Sequence, residues 1–255
     1  MDARIEPVAT TPEALAALLR SARSVVALTG AGISVPSGIP DFRSPGTGLW
    51  ENVDPMEVAH IAAFRRDPAR FWSFYGERFA LLRDKRPNGA HAALVELERR
   101  GVLGAVITQN IDGLHREAGT RDLIEVHGSI GRSECLRDGR TYPLDDVRAR
   151  LHADPDGVPR CDCGEALKPG VVLFGELLPE RAMQRATILA ATADVLLCVG
   201  SSLEVYPVAD LPRMTLAAGG AVAIVTKGPT PYDRDAAVRL DGDVVDELEA
   251  VVAAL

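Results

Sequence analysis

The sequence predicts an α/β fold, a Rossmann-like doubly wound parallel sheet with a small inserted domain. Three observations carry this. Short apolar runs recur along the chain, the pattern of strands buried on both faces. Helical stretches separate them, and strands alternating with helices imply parallel pairing through crossovers. One region breaks the rhythm: residues 128–170 are rich in Arg, Asp, Gly and Pro and hold three of the four cysteines.

Taken in order, Thr11 and Pro12 open the first helix, Thr11 as its N-cap and Pro12 at the first helical position. The run SVVALTG (24–30) is the first strand. Residues 36–55 are Pro- and Gly-rich and too long for an ordinary connection, which predicts a functional loop. HAALVELERRG (91–101) sets Ala92, Leu94, Val95, Leu97 and Glu98 along a helix that stops at Gly101. AVIT (105–108) is a second strand. Beyond the insert, 179–193 is helical, VLLCVG (195–200) and AVAIVT (221–226) are strands, and 244–255 is the last helix. The expected division is therefore a discontinuous large domain, 1–127 with 171–255, and an insert, 128–170.

The 255 residues suffice for a substantial core, and 47% apolar with 25% charged residues is a globular composition. A net charge of −8 argues against a general nucleic-acid binder, which needs a basic surface to displace counterions. No run approaches the ~18 apolar residues of a membrane span. The first eleven residues have neither a basic nor an apolar segment of a secretory signal, so the expected compartment is the cytoplasm. Cys135, Cys161 and Cys163 cluster in the insert and read as metal chemistry; Cys198 lies in a core strand and reads as a small hydrophobe.

Four motifs carry chemistry. LTGAGIS (28–34) runs from a strand into Gly30, Ala31 and Gly32 and a following helix, where backbone N–H groups can approach a pyrophosphate. The third glycine of the dinucleotide fingerprint is absent, with Val35 in its place, so a plain strand-to-helix turn reads equally well. PSGIPDFRS (36–44) offers Arg43 to a phosphate and Phe42 as a cover against water. TQNIDGLHREAG (108–119) sets Gln109, Asn110 and Asp112 at the carboxyl end of a strand, where open α/β sheets bind ligands; Asp112 can also cap the next helix. EVHGS (125–129) sets His127 beyond a further short strand on that same edge.

GAGISVPSGIPDFRS, TQNIDGLHREAG, VHGS, VVLFGE and GSSLEVYP, in this order, resemble the sirtuin family of NAD-dependent protein lysine deacylases. The resemblance runs from about Leu15 to Val251. It implies NAD as cofactor and acyl-lysine proteins as substrate partners, with no membrane and no direct nucleic-acid contact. Gly30, Ala31, Gly32, Phe42, Arg43, Gln109, Asn110, Ile111, Asp112, Gly200, Ser201, Ser202 and Thr226 would line the cofactor site. Asn110 and His127 would be catalytic, with His127 the general base. Residues 171–176, among them Val172, Phe174 and Gly175, and 202–206 would flank the acyl-lysine peptide as strand edges. In the implied reaction, nicotinamide leaves, the acyl oxygen bonds to the anomeric carbon, and His127 removes a proton from a ribose hydroxyl that then attacks the acyl carbon. The alternative is NAD-dependent protein ADP-ribosyl transfer, which shares the first step.

The chain departs from the family pattern in its insert. Two C-x2-C pairs are usual there; here Asp138 follows Cys135 by three residues, and Cys161 and Cys163 form a C-x-C. The insert is thus degenerate zinc-ribbon-like, and its ligand set is incomplete. Three readings stand open: zinc on three thiolates and Asp138, zinc held weakly, or a metal-free insert. Thr226 stands where an Asn usually meets the adenosine ribose. Finally, Ala59, Tyr75 and Arg78 match a branch of the family that removes succinyl and malonyl groups. Its Ala widens the pocket and its Tyr-x-x-Arg pair binds the acyl carboxylate. On a bare helix, Tyr75 and Arg78 are also ordinary i,i+3 neighbours.

Overall fold

In the computed structural model, residues 8–40, 55–82 and 84–255 are described, with residues 55, 56 and 77–81 by their backbone alone. Helix α1 (Pro12–Ser21) starts where Thr11 Oγ1 accepts the Ala14 N–H at 3.2 Å. Strand β1 (Val25–Thr29) is buried along its whole length. After it the chain was expected to enter a helix; it forms a 3-10 segment, Ala31–Ser37, instead. Pro36 lacks the N–H that an α-helix would need there, and Gly38 closes the segment at φ 76°.

Helices α2 (Pro55–Val58), α3 (Ile61–Arg66), α4 (Pro68–Leu82) and α5 (Gly89–Arg99) follow. Asn88 caps α5: its Oδ1 accepts the Ala90 N–H, while the Asn88 N–H donates to His91 Nδ1 at 3.4 Å. Strand β2 (Ala105–Thr108), helix α6 (Leu114–Ala118) and strand β3 (Leu123–Glu125) complete the first half.

The second half begins with β4 (Gly128–Cys135), β5 (Thr141–Pro143), α7 (Leu144–Ala153) and β6 (Leu167–Val171). It closes with α8 (Glu180–Thr192), β7 (Val195–Val199), α9 (Leu211–Ala217), β8 (Ala221–Val225), β9 (Val238–Leu240) and α10 (Val244–Ala254). Among the described residues no helix is long and apolar enough to cross a membrane.

The main sheet runs β3-β2-β1-β7-β8-β9, all parallel. Alternate residues of each strand serve opposite faces. Val25, Ala27, Val195, Leu197, Val199, Ala223 and Val225 pack with α1, α5 and α10. Val26, Leu28, Leu196, Cys198, Val222 and Ile224 pack with α8 and α9. Cys198 is 1% exposed and sits among aliphatic side chains as a small hydrophobe, and burial pushes its thiol pKa well above the ordinary value. The strand order reverses between β1 and β7, so the crevice at their carboxyl ends is the topological switch point.

A second, antiparallel sheet runs β5-β4-β6. Its core does not stop at the expected domain boundary. Phe64, Phe71, Trp72 and Tyr75 from α3 and α4 pack with Tyr142, Val147, Val158, Leu167 and Leu173 in one cluster. Trp72 Nε1 donates to the Leu167 carbonyl at 2.9 Å. Helices α3 and α4, assigned by the sequence to the large domain, thus pack with the small sheet. A three-stranded sheet alone buries too little apolar surface, and the aromatic face of α4 supplies it.

Candidate active site

The loops after β1, β2 and β7 meet at the switch point, and glycines decide how closely. A Cβ on Gly200 would lie 2.2 Å from Ile33 N, and one on Gly32 would lie 2.8 Å from Gly200 Cα. A Cβ on Gly30 would lie 2.9 Å from Gly200 O. The space that side chains would take here is filled by the facing loop's backbone. Gly30, Gly32 and Gly200 therefore allow a loop-on-loop contact in which a side chain at any of the three would collide with the facing loop. Hydrogen bonds seal the contact: Gly32 N–H to Gly200 O at 2.8 Å, and Gly30 N–H to Val199 O at 3.0 Å.

The loop after β2 is laced into this crevice. Asn110, 7% exposed, donates through Nδ2 to Gly30 O at 3.0 Å and to Ser34 Oγ at 3.2 Å. Gln109 Nε2 donates to Ser201 Oγ at 3.0 Å. Asp112 accepts from Ser34 Oγ at 2.7 Å through one oxygen and from the Leu114 N–H at 2.9 Å through the other. The N-cap of α6 is Gly113 and not Asp112, which accepts the first N–H of the helix from one residue further back while it ties Ser34 to this loop; burial raises its pKa despite those two donors. Ser34 was missed in the sequence reading, although it ends the GAGIS motif. Asn88 was missed too; its Nδ2 donates to Ile33 O and Ser37 Oγ, both at 2.8 Å, and so pins the 3-10 segment.

His127 is tethered at both ends. Its Nδ1 lies 2.9 Å from the Gln109 carbonyl oxygen, so Nδ1 carries the hydrogen and donates. Its own carbonyl accepts the Val172 N–H at 2.9 Å. Nε2 is left with the lone pair, the form a general base needs. Burial lowers the pKa of His127 and so favours the neutral ring near pH 7, opposed in part by the Gln109 hydrogen bond, which raises it.

The segment after β6 forms the other wall. The Phe174 N–H donates to Ala59 O at 2.9 Å and Phe174 O accepts the Ile61 N–H at 3.0 Å, a one-residue parallel bridge with His60. Gly175 has φ 82°, and a Cβ there would lie 2.6 Å from His60 Nε2. Behind this wall Lys168, 3% exposed, donates to Val171 O at 2.8 Å and to Glu176 Oε2 at 3.0 Å. Glu176 Oε2 in turn accepts the Leu173 N–H at 2.9 Å. Residues 202–206, expected as the opposite edge, form no strand. Ser201 is buried and Ser202 exposed. Ala59 and Tyr75 share the apolar cluster of Val171 and Leu173, and Ile111 packs against that cluster. Tyr75 stacks on Phe71 at 4.5 Å.

Ala31 is half-buried at the start of the 3-10 segment. Thr226, at the carboxyl end of β8, is 6% exposed and its hydroxyl lies 3.5 Å from Lys227 O. Phe42, Arg43 and the side chain of Arg78 lie outside the described residues.

The cysteine cluster is a compact donor set. Ligand atoms of Cys135, Asp138, Cys161 and Cys163 all lie within 4.8 Å of one another. Cys135 Sγ and Cys163 Sγ are 3.6 Å apart, and Cys161 Sγ is 3.4 Å from Asp138 Oδ2. A tetrahedral zinc with bonds of about 2.3 Å to sulfur separates its ligands by roughly 3.8 Å, so these four fit the ion.

Comparison with known proteins gives the family of the chain. The sequence profile described as the Sir2 family matches residues 30–207. An NAD-dependent protein deacetylase of Caldivirga maquilingensis is 46% identical over 238 residues, covering 93% of this chain and 91% of that protein. An NAD-dependent protein deacylase 2 of Pyrobaculum aerophilum is 44% identical over 239 residues, 93% of each chain. A solved Sir2 complex with a deacetylated p53 peptide and 3'-O-acetyl ADP-ribose superposes with a TM-score of 0.90 at 40% identity, covering 96% of this chain and 98% of that one. The profile spans more than half of the chain and the relatives nearly all of it, so the chain belongs to the Sir2 family.

Proposed function

We propose that the chain is an NAD-dependent protein-lysine deacylase that moves the acyl group to ADP-ribose and releases nicotinamide. The observation that supports this most is the double tether of His127. The ring of His127 bonds the loop after β2 and its backbone carbonyl bonds the segment after β6, so this residue stands between the loop read as the cofactor loop and the edge read as the peptide edge. When bound, NAD supplies an anomeric carbon with nicotinamide as its leaving group. Gln109, Asn110, Ile111 and Asp112 hold the nicotinamide and its ribose. Gly200, Ser201, Ser202 and Thr226 line the remainder, with Gly30, Ala31 and Gly32 opposite; Phe42 and Arg43 belong to the same reading. His127 Nε2, which carries the lone pair, would accept a proton from a ribose hydroxyl. Val172, Phe174 and Gly175 present one backbone edge to an acyl-lysine peptide.

The products decide the reading. With NAD and an acetyl-lysine peptide, O-acetyl-ADP-ribose and free nicotinamide are expected in equal amounts by mass spectrometry. ADP-ribosylated protein without acyl loss points instead to ADP-ribosyl transfer.

The same assay reads the acyl pocket. Ala59 and Tyr75 lie in the apolar cluster against which Ile111 packs, and Arg78, three residues after Tyr75 in the sequence, would be the carboxylate partner of a succinyl or malonyl group. Arg78→Met is expected to lower kcat/KM on a succinyl-lysine peptide about 10- to 100-fold, the worth of a hydrogen bond to a charged group. On an acetyl-lysine peptide the change stays within about threefold, because a wide pocket still admits a small acyl group. Equal losses on both peptides contradict the assignment.

Cys135, Cys161, Cys163 and Asp138 would hold a zinc ion, which would supply a cross-link for the small sheet, apart from the reaction. Metal analysis should find about one zinc per purified chain. Asp138→Ala should release zinc to a colorimetric chelator faster than the parent and lower the melting temperature, while Asp138→Cys should retain the ion. Zinc-free protein with an unchanged melting temperature in the presence of chelator excludes the site.

A further inference from the structure

Two buried histidines stand behind the cofactor loop and belong to none of the motifs' assigned roles. His91 on α5 is 0% exposed and His115 on α6 is 2% exposed, with ring centroids 4.8 Å apart. A chain of hydrogen bonds runs from His115 into the site. His115 Nε2 is 2.9 Å from Thr29 Oγ1, the Thr29 hydroxyl donates to Thr108 Oγ1 at 2.8 Å, and Thr108 Oγ1 accepts the Asn110 N–H at 3.1 Å. All four of these residues are buried.

Proton counting fixes both tautomers. Thr29 has one hydroxyl hydrogen, and it goes to Thr108; His115 Nε2 must then carry a hydrogen and donate to Thr29. In a neutral ring that leaves a lone pair on His115 Nδ1. His91 Nδ1 accepts the Asn88 N–H, so the hydrogen of neutral His91 is on Nε2. His115 Nδ1 and His91 Nε2 are the two buried ring nitrogens without a hydrogen-bond partner among the described residues. One is an acceptor and the other a donor, on adjacent rings. Burial lowers His91 to about 4 and His115 to about 3, the latter also through His91, so both rings are neutral near pH 7.

We infer that His91 and His115 form a neutral, tautomer-locked pair that holds the Thr29 and Thr108 hydroxyls in one orientation, and that His115 is thereby a positioning residue for the Asn110 loop. The inference rests on the reading of that loop as the nicotinamide-ribose site. The physical reason is local. A buried threonine hydroxyl with a free rotor can turn its hydrogen away from Thr108, and the Thr108 hydroxyl is then free to turn its own lone pairs out of line with the Asn110 N–H. An imidazole N–H aimed at Thr29 Oγ1 removes that freedom.

The test measures direct NAD affinity by calorimetry, steady-state KM for NAD and for acyl peptide, and melting temperature. His115→Leu is expected to weaken NAD about tenfold or more, as a displaced binding loop does, with peptide KM within about twofold. His115→Gln, whose Nε2 still donates to Thr29, should recover most of the loss. Thr29→Val should give the same NAD defect, and His115→Leu with Thr29→Val should be no worse than the poorer single variant, because both break one chain. Should His115→Leu fail to fold, Thr29→Val compared with Thr29→Ser carries the comparison. Equal effects on NAD and peptide, no recovery by Gln, or additive losses in the double variant overturn the inference. Wild-type protein that binds NAD but transfers no acyl group overturns the deacylase reading and leaves the relay to be judged on NAD affinity. Wild-type protein that binds no NAD overturns both.

Discussion

His127→Ala is expected to abolish acyl transfer while NAD still binds. The ring is held by the 2.9 Å bond from Nδ1 to Gln109 O, which commits the lone pair to Nε2. Removing a positioned general base costs about 10²- to 10⁴-fold. The loss should fall on kcat with peptide present, with NAD affinity within about threefold, because Ala removes none of the backbone of 109–112. Nicotinamide exchange into NAD should persist, since the base acts after nicotinamide has left. A variant retaining more than a tenth of the parent rate contradicts the role.

The pH profile carries the same signature. A base whose pKa lies below the ordinary 6.5 is deprotonated over more of the acid range, so kcat/KM should rise with pH through an inflection below 6.5 and stay flat above it. An inflection above 6.5 contradicts a buried, neutral His127.

The main sheet was legible because burial on both faces leaves an unbroken apolar run. β1, β7 and β8 begin and end within one residue of the runs at 24–30, 195–200 and 221–226. The site was legible where residues follow a strand directly, since position alone puts Gln109, Asn110 and Asp112 at the ligand-binding edge. What stayed hidden depends on partners distant in sequence. Nothing in residues 68–82 tells an amphipathic helix which of two cores it faces, and Trp72 finds its acceptor 95 residues away. Nothing in the sequence brings His91 and His115 together; only the fold places their unpartnered nitrogens on adjacent rings. The nearest sequence signal was Asn88 three residues before His91, a cap that names the acceptor nitrogen of that ring. Asp138 was visible, but only the folded cluster brings its carboxylate within reach of Cys161.

Gly200→Ala should produce the largest loss of stability, and with it the loss of NAD binding. Two costs coincide at this residue. Its φ of 61° lies in the left-handed region, worth about 1–2 kcal/mol for a residue with a side chain. Its Cβ would also lie 2.2 Å from Ile33 N and 2.6 Å from Gly32 C, both backbone atoms that no rotamer change can move. Overpacking adds about 1–3 kcal/mol where relief needs a backbone shift. That shift must separate the 200 loop from the 3-10 segment and stretch the bond from the Gly32 N–H to Gly200 O. Together these predict a destabilisation of about 2–5 kcal/mol, a fall in Tm of roughly 5–15 °C for a chain of this size. Gly101→Ala isolates the first cost. Its φ is 74°, yet a Cβ there has nothing within 4 Å, so strain acts without collision. Differential scanning calorimetry should find Gly101→Ala within about 1–2 kcal/mol of the parent with unchanged NAD affinity. Gly200→Ala should be less stable than that by the collision alone, and its NAD affinity should fall with the displaced loop. If the two variants melt together, the close approach of the β1 and β7 loops is not what requires glycine at the switch point.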